Sequence, residues 1–528
     1  MKNTRILLFI ILFMSCQQKR AKLVERDTTI TQETSYNNLF FDSIQLTHFL
    51  SSDSNLLKFQ DQFSNFYKQR NYEYAWFDSA GLSEQAHHFY NLLNITATEL
   101  KDSNFFNPVL AQHYKNFNNK KSNHFFKKDL LKTELLLTGQ FFQYAEKVYK
   151  GIDLDAAELG WFIPTKKINV ASLLDTVLTH KAKDPKLYVP FNSQYHKLEE
   201  RLYYYYKIQQ QYPTDSIVLH KKIISFGDSS TIVSSIKNRL NLLGDLAVND
   251  STNLFDSSLL KAVQQFQNRY GLSVTSNINK IFIDKLNTPI HVLVENILIN
   301  LERARWLPQE KDSNYFLVNI PEFKLHVFDS AVNVWDMNVI VGKSATSTVI
   351  FNGNLKYIVF SPYWIIPTNI VKNEILPSIK KDKNYLEKNN MEQYGISNGI
   401  PMIRQKAGPT NALGLVKFLF PNSYEIYFHD TPNKNYFSAT NRSLSHGCIR
   451  LSEPKKFASY LLRNDSTYTD ATIDSLMNLP KEKWVSLPKS VPVFIVYFTS
   501  WVDKYGMLNF RNDIYSHDEK MKQKMFIH

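Results

Sequence analysis

The spacing of apolar residues changes after residue 312, and this change constrains the fold more than any other feature of the chain. Before it, from about residue 39, apolar and aromatic side chains recur at helical spacing, as in Phe63, Phe66 and Tyr67. After it, short runs of β-branched and aromatic residues, such as residues 316–320, are separated by turn residues, which is typical of strands. The sequence therefore predicts a helical first half and a second half built as an all-β sandwich or open barrel.

The length and charge of the chain limit its class. At about 100–200 residues to a domain, 528 residues are expected to form several domains. An apolar fraction of 43% supplies enough material for packed cores, so a disordered chain is excluded. The net charge of +13 is spread along the chain, and no zinc knuckle, Walker loop or Rossmann glycine pattern is present. We therefore expect an anionic partner surface and no nucleic acid.

The first residues are typical of an exported lipoprotein. Two basic residues precede an apolar run, residues 6–14, that is too short to cross a bilayer as a helix. The run ends in Ser15-Cys16, which resembles a bacterial lipobox, where a small residue precedes a cysteine that becomes lipidated. We expect residues 1–16 to be a lipoprotein signal peptide, and residues 17–38 to be a flexible tether from the Cys16 lipid in the periplasmic cell envelope. A plain signal peptide with a chance cysteine is the alternative.

Two helical regions precede the change of period. Residues 39–228 have helical periodicity and many aromatic residues but no recognisable chemistry, so we interpret them as a helical scaffold domain. Residues 229–290 predict a small three-helix core, in which Asp256 or Ser257 caps the second helix. Residues 291–312 predict a linking helix.

The small region at residues 229–290 resembles the peptidoglycan-binding module of many wall enzymes. It carries that module's signature at Leu243-Gly244, at residues 262–267 and at Gly271-Leu272. Ser276 and Asn279 replace later glycines of the module, and asparagine tolerates the left-handed backbone that a turn there needs. The resemblance implies binding to peptidoglycan glycan, and a helical spacer is the alternative.

The stretch with recognisable chemistry is Ser445-His446-Gly447-Cys448-Ile449-Arg450, with His429 19 residues before the cysteine. A thiol becomes an effective nucleophile when a neighbouring imidazole takes its proton. The glycine before it lets a substrate and backbone N–H groups approach, as an oxyanion hole requires. The pattern predicts a cysteine nucleophile rather than an inert buried thiol. The order, with histidine before cysteine, disfavours a papain-like protease.

These residues resemble the L,D-transpeptidases, which have the YkuD-like catalytic fold. The resemblance to long envelope members of that family extends to residues 341–343, 362–364, 404–405, 408–414 and 417–422. It implies a multidomain α+β chain: the helical scaffold domain, the small three-helix peptidoglycan-binding-like domain, and a mostly-β catalytic domain at residues 313–500. A charged, helix-like lid insertion is expected at about residues 369–408, and residues 501–528 are expected to form a C-terminal extension.

The resemblance also implies roles for the site residues. Cys448 is expected to be the nucleophile and His429 the proton acceptor and donor. For His446 two interpretations stay open: an alternative base, or a loop residue whose backbone N–H joins those of Gly447 and Cys448 in the oxyanion hole, which we prefer. Ser445 and Arg450 are expected to support the site, the arginine by holding the loop or by pairing a substrate carboxylate. The further candidates for substrate contacts are Tyr363, Arg404 and Asn411.

The reaction that the resemblance implies is acyl transfer between peptidoglycan stem peptides. A cysteine acyl-enzyme would pass the donor stem to an amine of a second stem, giving a 3→3 cross-link for cell wall biogenesis. With water as acceptor the protein would be an L,D-carboxypeptidase, and with a degenerate site it would be a non-catalytic wall-binding scaffold. We expect no metal and no cofactor, and a monomer that contacts peptidoglycan and, through its lipid, a membrane.

Overall fold

The computed structural model describes residues 39–78, 81–99, 106–118, 127–150, 157–163, 169–181, 192–209, 211–213, 215–308 and 314–526. The predicted signal peptide, Cys16 and the tether lie outside these ranges. The chain divides into two compact units, of which the first comprises residues 1–151 and 167–189 and the second residues 152–166 and 190–528. Within the described ranges, no helix has the length and apolar character needed to span a bilayer.

The first unit is helical, as the sequence predicts. Its helices are α1 (Ser43–Ser51), α2 (Ser54–Leu57), α3 (Gln60–Gln69), α4 (Glu84–Glu99), α5 (Pro108–Asn118), α6 (Lys127–Ala145) and α7 (Val170–Thr179), with one pair of strands, β1 (Phe77–Asp78) and β2 (Gly81–Leu82). Aromatic residues at helical spacing, including Phe63, Tyr67, Phe141 and Phe142, are fully buried. They form the core of this unit, as expected for an amphipathic helical region.

The buried carboxylate of Glu134 joins α6 to other segments of this core by hydrogen bonds. Glu134 on α6 accepts hydrogen bonds from Ala75 N (2.7 Å), Trp76 N (3.0 Å) and the Tyr67 hydroxyl (2.7 Å). Burial raises the pKa of Glu134 to about 7, because the charged form loses its solvation. The three donors fix the position of α6 against the chain that precedes β1.

The second unit begins with helices. They are α8 (Ser193–Gln209), α9 (Ile232–Leu242), α10 (Ser257–Arg269), α11 (Lys280–Leu286) and α12 (Ile290–Arg305), with a pair of short strands, β3 (Ile223–Ile224) and β4 (Ile278–Asn279). Helices α9, α10 and α11 form the predicted three-helix core. The Asp256 side chain caps α10 by accepting from Ser258 N and Leu259 N, as predicted. Ser276 adopts the left-handed backbone (φ +60°), whereas Asn279 is extended and caps α11.

The remainder of the second unit is built on one mixed nine-stranded sheet. Its strands are β5 (Tyr315–Asn319), β6 (Lys324–Asp329), β7 (Val332–Gly342), β8 (Phe351–Phe360), β12 (Val416–Leu419), β13 (Phe428–His429), β14 (Ser443–Ser445), β15 (Ile449–Leu451) and β16 (Lys483–Val496). The order is β14-β7-β15-β13-β12-β8-β16-β5-β6, and β6 also pairs with β7. With this additional pairing, the strands from β7 to β6 in that order form a closed circuit. The sheet therefore differs from both the sandwich and the open barrel that the sequence predicts.

The two faces of the central strands have different roles. Phe418 and Phe428 pack against Phe457 of helix α16 (Pro454–Leu462), with ring centroids 4.9 and 6.2 Å apart. Successive residues of a strand point to opposite faces. Lys417 and His429 therefore lie on the face away from α16, where the candidate site is found. Helix α17 (Asp470–Met477) follows α16 and packs against it.

The predicted lid insertion is helical only in its first half. Strand β9 (Trp364–Ile365) precedes it, and its first half contains helices α13 (Thr368–Ile370), α14 (Leu376–Lys381) and α15 (Tyr385–Lys388). It continues as a hairpin of β10 (Met391–Ser397) and β11 (Ile400–Gln405), which pairs with β9. Asn398 and Gly399 join the hairpin strands with φ values of +48° and +75°. An Asn-Gly pair suits such a turn, so the expectation of a wholly helix-like insertion overlooked a local hairpin signal.

The chain ends with β17 (Ser500–Val502), β18 (Leu508–Phe510) and α18 (His517–Phe526). The Asp513 carboxylate caps α18 by accepting from His517 N (2.9 Å) and Asp518 N (2.8 Å). Asp518 in turn forms an ion pair with the buried Arg303 of α12 (2.6 Å). The C-terminal segment is therefore fixed to the linking helix.

A histidine in β6 stabilises the catalytic sheet in a pH-dependent way. His326 Nε2 lies 2.8 Å from a Glu322 oxygen, and its Nδ1 lies 2.6 Å from an Asp336 oxygen. The two carboxylates raise the pKa of His326 to about 9, against its burial. The protonated ring thus forms two ion pairs, one with Asp336 of β7 and one with Glu322, which precedes β6.

We predict that this cluster loses its stabilising effect as the pH rises. A folded pKa of about 9 lies above the unfolded value of 6.5, so the contribution is complete below pH 6.5 and disappears as the pH rises through 9. The free energy of unfolding, measured with urea between pH 6 and 10, should fall by up to about 3 kcal/mol from this group. His326→Gln should flatten that part of the curve, and an unchanged slope in this variant would contradict the assignment.

Candidate active site

The predicted nucleophile lies in a tight turn between β14 and β15. Gly447 has a φ of +119°, which side-chain-bearing residues rarely adopt. The Ser445 hydroxyl donates to Cys448 O (2.6 Å) and accepts from Gly447 N (3.1 Å). Ser445 therefore closes the turn from inside, which gives it the supporting position expected from the sequence.

A neighbouring loop holds the same turn from outside. The Thr348 hydroxyl donates to Gly447 O (2.7 Å) and accepts from Gly342 N (2.9 Å). The Tyr515 hydroxyl donates to Gly342 O (2.5 Å). A Cβ on Gly342 would lie 2.1 Å from Thr346 O and 3.1 Å from the Gly447 Cα. Residue 342 must therefore be glycine for the two loops to approach this closely.

Strand pairing brings the two predicted catalytic residues to one face of the sheet. Strands β13 and β15 are parallel, with His429 opposite Arg450 and Phe428 opposite Ile449. Cys448 lies one residue before this pairing, and alternation along β15 puts it on the same face as Arg450. The thiol donates to Glu425 O at 3.6 Å. Among the described residues, no hydrogen bond joins the thiol directly to the His429 ring.

The His429 ring is buried and uncharged. Its Nδ1 donates to Asp430 O (2.5 Å), which fixes the ring by a backbone carbonyl. Burial lowers the pKa of His429 to about 3, and the positive charges of Arg450 and Lys417 act in the same direction. The imidazole is therefore neutral at physiological pH, and one ring nitrogen can accept a proton.

The thiol is also uncharged in this environment. Burial raises the pKa of Cys448, and hydrogen bonds from Tyr427 and the charge of Arg450 only partly oppose it. Burial and then the neighbouring thiol raise the pKa of Tyr427. The resting pair is thus a thiol with a neutral imidazole, and not a thiolate with an imidazolium.

The two open interpretations of His446 use different groups: a base would use its ring, and an oxyanion hole would use its backbone N–H. The ring is exposed, and the described residues offer it no hydrogen-bond partner. The Gly447 N–H is taken by Ser445. Within the described part of the chain, the N–H groups of His446 and Cys448 make no hydrogen bond, so these two amides are the ones available to an oxyanion.

Two cations border His429 on the neighbouring strands. Lys417 on β12 and Arg450 on β15 are each paired directly with His429 in register. Neither forms an ion pair with a described acidic residue, and the Arg450 Nε is buried without a hydrogen-bond partner there. Burial lowers the pKa of both side chains. The charges that act on the His429 ring are therefore positive, and Glu482 only partly offsets that of Lys417.

Of the three further candidates for substrate contacts, two make contacts within the protein instead. Asn411 is fully buried, and its amide donates to Pro362 O (3.0 Å) and Lys406 O (2.9 Å), so it shapes a turn. Arg404 pairs with Glu392 (2.6 Å) and lies over the Tyr363 ring at 4.4 Å. This geometry gives Asn411 and Arg404 structural contacts. The Tyr363 side chain remains partly exposed beside the hairpin of β10 and β11.

Sequence reasoning missed residues that contact the site. Tyr427, Lys417, Thr348 and Tyr515 were not candidates. Tyr427 lies two residues before His429, so strand alternation could have shown that it shares the face of the histidine. Thr348 and Tyr515 approach from remote segments, and no local pattern marks them.

The comparisons with known proteins agree with this architecture. Residues 313–522 match the family model of the L,D-transpeptidase catalytic domain (YkuD). Residues 61–202 match a scaffold domain, and residues 229–286 match a domain described as "putative peptidoglycan binding domain". The chain thus contains a YkuD-type L,D-transpeptidase catalytic domain together with a scaffold domain and a peptidoglycan-binding domain. The family expected from the sequence is confirmed.

One curated relative is a "Putative L,D-transpeptidase" of Haemophilus influenzae, 30% identical over 245 residues. The match covers 43% of this chain and 49% of the relative, so the chain spans about half the length of the curated relative it matches. An L,D-transpeptidase structure from Xylanimonas cellulosilytica aligns with this chain at 12% identity and a TM-score of 0.19. The alignment covers 53% of this chain and 100% of that structure. One from Stackebrandtia nassauensis, 12% identical, is covered to 97% by 53% of this chain at a TM-score of 0.23.

The raised pKa of Cys448 predicts slow alkylation at neutral pH. The thiolate is the species that reacts with iodoacetamide, so the rate should follow the ionisation of the thiol. We expect a midpoint above that of an unperturbed cysteine, since burial raises the pKa of the Cys448 thiol. Peptide mass spectrometry across pH 6–10 would report the Cys448 rate separately from that of Cys16. A midpoint below pH 8 would show that the free protein holds an activated thiolate.

Proposed function

We propose that the protein is a peptidoglycan L,D-transpeptidase that forms 3→3 cross-links through a thioester on Cys448. The observation that carries the proposal is the common face of the adjacent strands β12, β13 and β15, which presents a cysteine, a neutral histidine and two cations together. The match of residues 313–522 to the family's catalytic domain supports this assignment. The substrate is a stem tetrapeptide, and its carboxylates suit the positive charges around His429.

The reaction consists of two acyl transfers. In the first, the Cys448 thiol gives its proton to His429, and its sulfur attacks the carbonyl of the third, L-centred residue of the donor stem. The amide bond to the terminal D-Ala breaks, and that amine leaves with a proton returned by His429. In the second, the side-chain amine of a diamino acid on another stem attacks the thioester and releases the thiol.

The resting contacts explain why substrate must start this sequence. The thiol now donates to Glu425 O, and the His429 ring is held by Asp430 O. Both groups are uncharged, so no ion pair has to be broken before the proton moves. A bound substrate that excludes water and turns the thiol toward the ring would couple proton transfer to attack.

Arg450 has the position of a carboxylate-binding residue. It lies two residues after Cys448 on the same face, its Nε is buried without a partner among the described residues, and no described acid neutralises it. A guanidinium binds a carboxylate through two parallel hydrogen bonds. We therefore assign the terminal carboxylate of the donor stem to Arg450.

The remaining parts of the chain would keep the proposed enzyme close to the peptidoglycan. Residues 229–286 would bind glycan, the hairpin lid of β10 and β11 would cover the cleft and exclude water, and the lipid on Cys16 would retain the protein at a membrane of the cell envelope. An L,D-carboxypeptidase remains the alternative if water, rather than an amine, receives the acyl group.

The test of the proposed function is the product formed on tetrapeptide-rich sacculi. The wild-type protein should produce 3→3 linked dimers, detected by muropeptide analysis, and Cys448→Ala should produce none while keeping the wild-type circular dichroism spectrum. Shortened stems without dimers would establish the carboxypeptidase instead. Dimers formed by Cys448→Ala would contradict the assignment of the nucleophile.

The roles of the two histidines are separated by acylation with a carbapenem, followed by intact-protein mass spectrometry. His429→Ala should slow acylation on the order of a hundredfold or more, because a general base is lost. His446→Ala should slow it by less than about tenfold, since the ring is exposed and only its backbone faces the reaction. If His446→Ala is the inactive variant and His429→Ala the mild one, the two roles must be exchanged.

A further inference from the structure

The peptide group between Gly447 and Cys448 is oriented by a residue outside the catalytic motif. Its carbonyl, Gly447 O, accepts from the Thr348 hydroxyl at 2.7 Å. In a planar trans peptide the N–H points opposite to the carbonyl, and the described chain contains no cis peptide bond. Thr348 therefore determines the direction of the Cys448 N–H, which is free of hydrogen bonds to the described residues.

Thr348 is itself held at two further points. Its hydroxyl accepts from Gly342 N at 2.9 Å, so the hydroxyl proton is directed to Gly447 O. Its own N–H lies 3.4 Å from the Tyr515 hydroxyl, which donates to Gly342 O at 2.5 Å. Both polar groups of the Gly342 backbone are thus engaged, one by Thr348 and one by Tyr515.

Tyr515 connects this arrangement to the linking helix. Its N–H donates to the Tyr497 hydroxyl (2.9 Å), which donates to Asp513 (2.6 Å). Asp513 caps α18, and Asp518 of that helix pairs with Arg303 of α12. Tyr515 is buried, and its backbone is held by this hydrogen-bond network, so its hydroxyl has a fixed position.

We propose that Thr348 and Tyr515 are positioning residues that direct the Cys448 N–H into the oxyanion hole. The proposal rests on the proposed acylation of Cys448 and adds two residues to that reaction. As the thiol attacks the carbonyl, the developing oxyanion accepts from the Cys448 N–H. A donor held in advance stabilises this charge without reorganisation.

The test compares two reactions of the same thiol. Acylation by a carbapenem passes through an oxyanion, whereas alkylation by iodoacetamide displaces iodide at a saturated carbon and forms none. In the full chain, Thr348→Val removes the hydroxyl while keeping the shape, and Thr348→Ser restores the hydroxyl. Tyr515→Phe removes one hydroxyl in the C-terminal segment, and Tyr505→Phe, at an exposed position of the same segment, is its matched control.

We expect Thr348→Val to slow acylation on the order of ten- to a hundredfold. Removal of an oxyanion donor costs about a hundredfold or more in rate. In this variant the Cys448 N–H is still present but is no longer held in direction, so the loss should be smaller. The loss should appear in the maximal rate and not in the half-saturating carbapenem concentration, because the hydrogen bond forms only in the transition state. Iodoacetamide alkylation should be unchanged. Thr348→Ser should recover most of the rate, and Tyr515→Phe should lose less than Thr348→Val.

Three results would overturn the proposal. Acylation of Thr348→Val at the wild-type rate would show that the Cys448 N–H needs no such support. An equal loss of acylation and alkylation would show a general disturbance of the thiol. Failure of Thr348→Ser to recover the rate would assign the effect to packing. A wild-type protein that no carbapenem acylates would instead contradict the proposed function itself.

Discussion

The parallel pairing of β13 with β15 is the constraint on which the candidate site depends. These strands have only two and three residues, yet their register sets His429 opposite Arg450 and puts Cys448 on the same face. A shift by one residue would turn the histidine into the core and Phe428 into the cleft. The packing of Phe428 and Phe418 against Phe457 opposes such a shift, because it would expose aromatic surface and bury an imidazole.

The nucleophile turn depends on hydrogen bonds from both sides. Ser445 closes it from within, Thr348 donates directly to Gly447 O, and Tyr515 holds the neighbouring Gly342 carbonyl. A positive φ at Gly447 and the close approach at Gly342 require glycine at both positions. The turn is therefore ordered before substrate arrives, which lowers the cost of aligning the reacting groups.

The electrostatic state of the site follows from burial more than from ion pairing. Burial lowers the pKa of His429 and raises that of Cys448, so both groups rest in their neutral forms. Arg450 and Lys417, which form no ion pair with a described acidic residue, would favour the anionic substrate and the negatively charged transition state of the proposed reaction. The same charges oppose protonation of His429 in the free protein. In the proposed reaction, a bound substrate would supply the negative charge that the free site lacks and would exclude water.

The sequence by itself determined the class of the fold and the candidate nucleophile. The change of apolar spacing separated the helical regions from the β region, and the motif around Cys448 carried the family resemblance, because both signals are local in the chain. It predicted neither the closed circuit of the sheet nor the hairpin of β10 and β11. The circuit depends on pairings between strands far apart in the sequence, such as β16 with β5 and β15 with β7, and the turn signal of the hairpin was overlooked among charged, helix-like residues. Only the tertiary structure decided that the Gly447 amide is occupied, that Asn411 is buried, that Thr348 contacts the turn, and that Tyr515 holds Gly342 beside it. The contacts of Thr348 with Gly447 and of Tyr515 with Gly342 join residues 99 and 173 positions apart, and their geometry is set by packing that no local pattern encodes.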